Sequence, residues 1–435
     1  MKVIEHLVNG EIVSMGDPTQ DVFNPSTGEV SKQVSLATKT TVEKAIAAAH
    51  DAFPEWRATP PLKRARIMFR FKELLEKNVN EIAQLIGEEH GKIAHDALGE
   101  VNRGIENVEY ACYAPQLLKG EHSKNIGTNI DSWSEFQPLG VVAGITPFNF
   151  PAMVPLWMYP MAIVCGNCFV LKPSERDPSA ALFVAQLLYE AGLPKGVLNV
   201  VNGGKEAVDT LLTDERVQAV SFVGSTAIAK YVYITATEHD KRCQALGGAK
   251  NHAIVMQDAE MENTVNALIG AAFGSSGERC MAISVAVAVG SETADNLIAG
   301  LKSKMQDLKV GNFDDSTNDF GPLITKDHME KVKQYITSAE AQGADIVVDG
   351  RSVNVKGCEN GFYVGGTLID SVQASMDSYQ NEIFGPVLQV VRVDTMQQAI
   401  DLIDEHEYGN GTCIFTRDGE AARYFSDQIK VGMVG

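Results

Sequence analysis

Between Gly140 and Met256 short β-branched runs alternate with helical segments, which confines this stretch to a sheet of parallel strands joined by crossover helices. Strands are expected at Val141 to Ile145, Cys168 to Leu171, Val197 to Val201, Ala219 to Val223 and Ala253 to Met256. Helices fall between them near Ala180 to Ala191, Glu206 to Leu212 and Thr226 to Thr237, and Gly192-Leu193-Pro194 stops the first. An open sheet of this kind, a doubly wound dinucleotide-type domain, binds ligands beyond the carboxyl ends of its strands. The residues that follow each strand are therefore the place to look for chemistry.

The flanks divide the rest of the chain. Val42 to Ala52, Leu62 to Lys77 and Asn80 to Glu88 are amphipathic, a longer helix is expected from about Ala94 to Tyr113, and Ile126 to Phe136 alternates as a polar arm or hairpin outside the main sheet. After Cys280 a second α/β pattern appears, with strands near Val285 to Val289 and Gln389 to Val393 and helices near Asp295 to Met305, Asp327 to Ala341 and Thr395 to Asp404. The expected division is a nucleotide-binding domain over 1–120 and 140–245, a hairpin over 121–139 and a second α/β domain over 246–435.

Composition excludes several classes. With 56 acidic against 37 basic residues and a net charge of −19, nucleic acid and anionic membranes are unsuitable partners, and an anionic substrate needs local arginines. The Met1-Lys2-Val3-Ile4-Glu5-His6 start lacks the features of a secretion signal or presequence, and no apolar run reaches membrane-spanning length, so a cytoplasmic place is expected. Seven scattered cysteines suit a reducing compartment. Cys165-Gly166-Asn167-Cys168 has redox spacing but lies between an apolar helix and a strand with no second pair, and the nine histidines form no ligand spacing, so no metal is expected.

Four segments carry chemistry. Thr146-Pro147-Phe148-Asn149-Phe150-Pro151 follows the first strand, and its prolines fix a loop in which Asn149 is either a self-bonded turn residue or an amide aimed at a developing oxyanion, a role worth about 3 kcal/mol. Leu171-Lys172-Pro173-Ser174-Glu175 ends the second strand, where a carboxylate and a lysine can meet ribose hydroxyls or phosphate. Phe222-Val223-Gly224-Ser225-Thr226 opens a helix whose amides attract phosphate, although no full GxGxxG is present. Gly274-Ser275-Ser276-Gly277-Glu278-Arg279-Cys280 joins a helix to a strand, and its glycines allow a thiol to be presented beside its own amide. Taken alone, a free cysteine is more often a small buried hydrophobe.

Together with Glu382-Ile383-Phe384-Gly385-Pro386, these segments resemble the aldehyde dehydrogenase superfamily in order and spacing over nearly the whole chain. The resemblance implies a Rossmann-type NAD-binding domain, a second α/β catalytic domain and an oligomerisation hairpin, in a homodimer or homotetramer. It implies Cys280 as nucleophile and Asn149 as oxyanion donor, with Lys172 and Glu175 at the adenosine ribose, Ser225 near the pyrophosphate and Glu382 at the nicotinamide ribose. Thr146, Phe148, Arg176 and Gly247 match residues that line the same cofactor.

One departure is informative. Hydrolytic members carry a glutamate before Leu-Gly-Gly, and here that place is Ala245, which cannot act as a base. The Gln244 to His252 segment, with Gly277 to Ala282 and Pro147 to Pro155, is similar to the coenzyme A-acylating branch that acts on methylmalonate semialdehyde. That likeness implies coenzyme A as co-substrate, with Arg103 and Arg279 clamping a substrate carboxylate, although a solvated helix face is the ordinary reading of Arg103 alone. The implied reaction oxidises and decarboxylates methylmalonate or malonate semialdehyde to propionyl-CoA or acetyl-CoA, in valine or inositol breakdown. Arg279 and a positive helix end would raise the thiolate fraction of Cys280. The rivals are a hydrolytic enzyme using Glu278 or Glu382 as base, and a non-catalytic NAD-binding protein. The latter follows from Val431 to Gly435 reading as a strand in mid-course where family sequences continue, so a catalytic domain shortened at its C-terminus is expected.

Overall fold

The computed structural model describes residues 2–435. They form two compact units: the chain through Phe23 with Val30–Glu89 and Ala97–Gly247, and Asn24–Glu29 with His90–Asp96 and Gly248–Gly435.

The first unit is built on a seven-stranded sheet. In chain order its strands are β1 (His6–Val8), β2 (Glu11–Val13), β3 (Val141–Ile145), β4 (Cys168–Lys172), β5 (Leu198–Val200), β6 (Val217–Val223) and β7 (Arg242–Leu246), arranged spatially β7-β6-β3-β4-β5-β1-β2. Every residue of β3 and β4 is buried, as expected of parallel strands covered by helices on both faces, and this is why they read as unbroken apolar runs. The chain fills the sheet from β3 through β4 to β5, then returns to the other side of β3 for β6 and β7. Strand order thus reverses between β3 and β6, the crevice where open sheets of this type take ligands.

Helix α1 (Ala94–Cys112) and helix α2 (Met153–Val164) fix the loop that leaves β3. The α2 sequence, with Pro160 inside it, is a poor autonomous helix, and neighbouring side chains satisfy both of its ends. Buried Glu100 of α1 accepts hydrogen bonds from the backbone N–H of Ala152 (2.9 Å) and Met153 (3.2 Å), placing negative charge at the positive end of α2. At the other end Trp56 Nε1 donates to the Ile163 carbonyl (2.9 Å) and Arg64 Nε to that of Val164 (2.7 Å). A Cβ added at Gly104 would stand 2.6 Å from the Leu156 side chain, so α1 and α2 approach as closely as a glycine permits. The antiparallel hairpin His122–Gly127 with Ile130–Trp133 is exposed along almost its whole length.

The second unit carries another seven-stranded sheet. Its strands are β8 (Asn251–Val255), β9 (Ile283–Val289), β10 (Asp345–Val348), β11 (Thr367–Asp370), β12 (Val387–Val393), β13 (Gly411–Phe415) and β14 (Met433–Val434), in the spatial order β10-β11-β12-β9-β8-β13-β14. All neighbours pair in parallel except β10 with β11. Helix α3 (Met261–Phe273) covers part of this sheet, burying Val265, Leu268, Ala272 and Phe273. Among the described residues no helix is long and apolar enough to cross a membrane.

The capping role of Glu100 has a measurable consequence. Glu100→Ala leaves two N–H groups of α2 without their acceptor and is expected to destabilise the protein by about 2 kcal/mol, whereas Glu100→Gln, which keeps an acceptor oxygen, costs less than half of that. Urea unfolding of the two variants beside the parent checks this, and equal losses would mean that the cap is not what matters.

Candidate active site

In the first unit the residues singled out from the sequence gather at the carboxyl edge of the sheet. Thr146 follows β3 and is held there by its N–H donating to the Lys172 carbonyl at the end of β4 (3.1 Å). Lys172 Nζ lies 2.9 Å from Glu175 Oε2. Burial opposes ionisation of Glu175, yet the Lys172 ammonium beside it holds the carboxyl below its ordinary range. The Arg176 guanidinium sits 5.5 Å from the Phe148 ring centroid, a cation–π distance. Ser225 is the N-cap of the helix Thr226–Glu238, preceded by Gly224, where a Cβ would stand 2.5 Å from the Phe222 ring. Gly247 follows β7, and a Cβ there would come within 3.3 Å of Thr226. Asn149 is almost wholly buried, and Arg103 stands exposed on α1.

A carboxylate beside an ammonium, an open helix N-terminus and glycines that clear its approach, all around the crevice between β3 and β6, suit a dinucleotide despite the absent GxGxxG.

In the second unit Cys280, Arg279 and Glu382 line one cleft. Cys280 precedes β9 and Glu382 precedes β12, and because these strands pair in parallel their approach segments are neighbours. Gly277 has φ +71°, and a Cβ on it would fall 2.1 Å from the Gly385 carbonyl oxygen, so the Cys280 turn and the Glu382 segment touch through bare backbone. Asn251 Nδ2 donates to the carbonyls of Cys280 (2.9 Å) and Ala282 (2.8 Å), its Oδ1 accepts from the Gly411 N–H (2.9 Å), and Asn410 Nδ2 also donates to the Cys280 carbonyl (3.0 Å). The main chain of Cys280 is thus pinned by two amides.

Helix α3 ends at Phe273, so it turns its C-terminal end toward the segment that leads to Cys280. The expected positive helix end is therefore not supplied by the preceding helix.

Arg279 is tied within its own unit: Nη2 lies 2.6 Å from Asp96 Oδ1. Glu278, wholly buried, turns into the interior with His90 Nε2 at 3.6 Å and His328 Nε2 at 3.7 Å. His328 Nε2 is in addition 2.7 Å from the Phe384 carbonyl. Glu382 Oε1 accepts from the Ala249 N–H (3.0 Å). Beside it the fully buried Lys250 donates to the carbonyls of Ser378 (2.6 Å) and Asn381 (2.8 Å). Burial outweighs their mutual attraction at both groups, pushing the Glu382 carboxyl up and the Lys250 ammonium down to about 7.

The structure thus brings together a thiol on a pinned turn, an arginine beside it and a carboxylate in the same cleft. A family model for the aldehyde dehydrogenase family matches residues 12–435. The chain belongs to the aldehyde dehydrogenase family. It is 62% identical to the malonate-semialdehyde dehydrogenase of Pseudomonas aeruginosa, over all of this chain and 88% of that protein. The crystal structure of methylmalonate-semialdehyde dehydrogenase from Oceanimonas doudoroffii superposes with a TM-score of 0.99 at 73% identity, covering 100% of this chain and 89% of that one. A Sinorhizobium meliloti homologue crystallised with NAD gives a TM-score of 0.99 at 50% identity, with the same coverage. The aldehyde dehydrogenase fold of both units is thereby established.

Within this aldehyde dehydrogenase, the supporting residues were the ones sequence reasoning missed. Lys250, Asn251 and His252 are polar residues leading into the apolar Ala253 to Val255, a usable signal, whereas Asp96 and Asn410 carry no mark in the sequence. The Cys165 and Cys168 thiols are both raised by burial, the latter to about 12, which fits packing rather than redox work.

The buried lysine predicts a pH dependence. An unfolded lysine titrates near 10.5 and the folded one near 7, so between those values the unfolded chain holds a proton that the folded protein lacks. Stability then rises with pH, by about 1 kcal/mol per pH unit from pH 7 to 10 relative to Lys250→Met, which cannot titrate. Urea unfolding of both proteins across that range should give diverging curves, and parallel ones would show that Lys250 keeps an ordinary affinity for its proton.

Proposed function

We propose that this chain is an NAD-dependent, coenzyme A-acylating dehydrogenase of malonate-type semialdehydes, working through a thioester on Cys280. The observation that carries the acylating choice is the fate of the carboxylates. Ala245 occupies the place before Leu-Gly-Gly, Glu278 is buried between two imidazoles, and Glu382 accepts the Ala249 N–H beside a lysine. Ala245 has no base to offer, Glu278 is buried away from the cleft, and one oxygen of Glu382 is taken by the Ala249 N–H, a distribution that supports transfer to a thiol instead. The substrate class rests on Arg279 beside the nucleophile and on the names of the relatives.

In the proposed reaction the Cys280 thiolate attacks the aldehyde carbon, and Asn149 with the Cys280 N–H stabilises the resulting oxyanion. When bound, NAD supplies the hydride acceptor. Thr146, Phe148, Lys172, Glu175, Arg176, Ser225 and Gly247 would hold its adenosine and pyrophosphate portion, and Glu382 the nicotinamide ribose. Arg279, with Arg103 as its proposed second member, holds the substrate carboxylate, so that decarboxylation is confined to the thioester stage, where the departing carbon dioxide leaves an enolate. Protonation of that enolate gives the acyl thioester, which coenzyme A takes to regenerate the thiol. The exposed hairpin 122–133 is read as the element through which copies associate into a dimer or tetramer.

The test is turnover of methylmalonate and malonate semialdehyde with NAD⁺, with and without coenzyme A. Propionyl-CoA and acetyl-CoA should form only when coenzyme A is present, and free acid made at the same rate without it overturns the acylating assignment. Cys280→Ala should lower NADH formation by at least a thousandfold, and persistent activity would place the nucleophile elsewhere.

A further inference from the structure

The turn before the nucleophile is conformationally unusual. Ser275, Ser276 and Gly277 all have positive φ, at 51°, 56° and 71°, and two of the three are residues that rarely adopt such angles. Something must hold them there, and part of the restraint is visible: Ser276 Oγ donates to the Gly321 carbonyl (2.7 Å). The other part is Asp96. Its Oδ2 accepts from the Ser275 N–H (2.8 Å), while its Oδ1 meets Arg279 Nη2 (2.6 Å). One carboxylate therefore grips the turn at both ends, four residues apart.

The grip also sets the attitude of the guanidinium. A Cβ at Gly274 would lie 2.5 Å from Arg279 Nη1 and 2.7 Å from Cζ, so the guanidinium rests directly on that backbone. Asp96 engages it end-on through a single nitrogen rather than as a two-pronged fork. Nε and Nη1 make no hydrogen bond among the described residues, and Arg279 lines the same cleft as Cys280. A planar cation with one nitrogen anchored and a second edge unengaged is pre-set to take a second carboxylate.

We propose that Asp96 is a positioning residue with two separable effects: it holds the nucleophile turn through Ser275 and orients Arg279 for the carboxylate of the substrate. The second effect rests on the reading of Arg279 given above. Removing the carboxylate would then cost catalytic rate through the turn and substrate affinity through the arginine, and only the second loss would depend on the charge of the aldehyde.

Three variants of the full chain separate these effects: Asp96→Ala, Asp96→Asn and Arg279→Leu, each assayed with NAD⁺ and coenzyme A on malonate semialdehyde and on uncharged propanal. Asp96→Ala should lower kcat several-fold on both substrates and raise KM at least tenfold for malonate semialdehyde alone. Asp96→Asn keeps an acceptor for the Ser275 N–H but not the charge facing Arg279, so kcat should recover while the KM defect remains. Should the alanine variant not fold, the asparagine variant still decides, because an unchanged ratio of the two KM values in a folded Asp96→Asn protein refutes the orienting effect. If Arg279→Leu abolishes the preference for the charged aldehyde and neither Asp96 variant alters it, the inference about Asp96 alone fails. If Arg279→Leu also leaves the preference intact, the clamp itself is wrong.

Discussion

The backbone contact between Gly277 and Gly385 is the constraint around which the second unit's site is organised. Strands β9 and β12 pair in parallel although about a hundred residues of sequence separate them, so the segments entering them arrive side by side at the amino edge of the sheet. With no side chain at Gly277 the two segments close to van der Waals contact, which sets the spacing between Cys280 and Glu382. Any larger residue would have to displace the carbonyl of Gly385, and with it the carboxylate three residues upstream. The two units use opposite edges of their sheets. Candidates in the first follow their strands, whereas Cys280, Glu382 and Asn251 precede or open theirs. At that edge carbonyls of the entering chain need donors, and the side-chain amides of Asn251 and Asn410 supply them to Cys280.

In a chain of charge −19 the surroundings of each buried cation decide its charge. Three of the candidate cations are bound to specific acceptors. Lys172 faces Glu175, Arg279 faces Asp96, and Lys250 is surrounded by main-chain carbonyls with Glu382 close by. These arrangements are not equivalent. An ammonium satisfied only by carbonyls in a dry interior gives up its proton readily, whereas one facing a partly wetted carboxylate does not. Lys250 is thus the cation whose charge is most sensitive to its surroundings, one residue away from the amide that holds Glu382.

The legible parts of the sequence were those where one physical demand dominates. The β3 and β4 segments are buried on both faces, so only apolar and β-branched residues serve and the run announces itself. The β7 segment, Arg-Cys-Gln-Ala-Leu, is an edge strand exposed at alternate residues, and it passed unnoticed because an edge needs no continuous apolar run. Likewise β13 is short and opens on Gly411, with three of its five residues only partly buried, so no unbroken buried run marks it. The short excursions 24–29 and 90–96, which belong to the second unit, are held by backbone contacts such as Phe362 N–H to the Pro25 carbonyl (2.9 Å), and such contacts leave no trace in residue type. Cys280 could be found because glycines mark the turn beside it, whereas Glu382 was reached only through the resemblance of Glu382-Ile383-Phe384-Gly385-Pro386. Asp96 could not, because a carboxylate in the first turn of a helix is what any ordinary helix carries.

The distribution of carboxylates also sets Glu278 apart from the cleft that Cys280 lines. Glu278 is two residues from Cys280, but the intervening turn reverses direction. Its side chain enters the interior while Arg279 and Cys280 face the cleft. His90 is buried beside it and is held well toward its neutral form by desolvation, so Glu278 lies among imidazoles in the interior. The same turn that strains Ser275 and Ser276 therefore turns Glu278 and Cys280 to different surroundings within three consecutive residues. The thiol shares its cleft with an arginine fixed by Asp96 and a glutamate held by a backbone N–H, while Glu278 is turned inward.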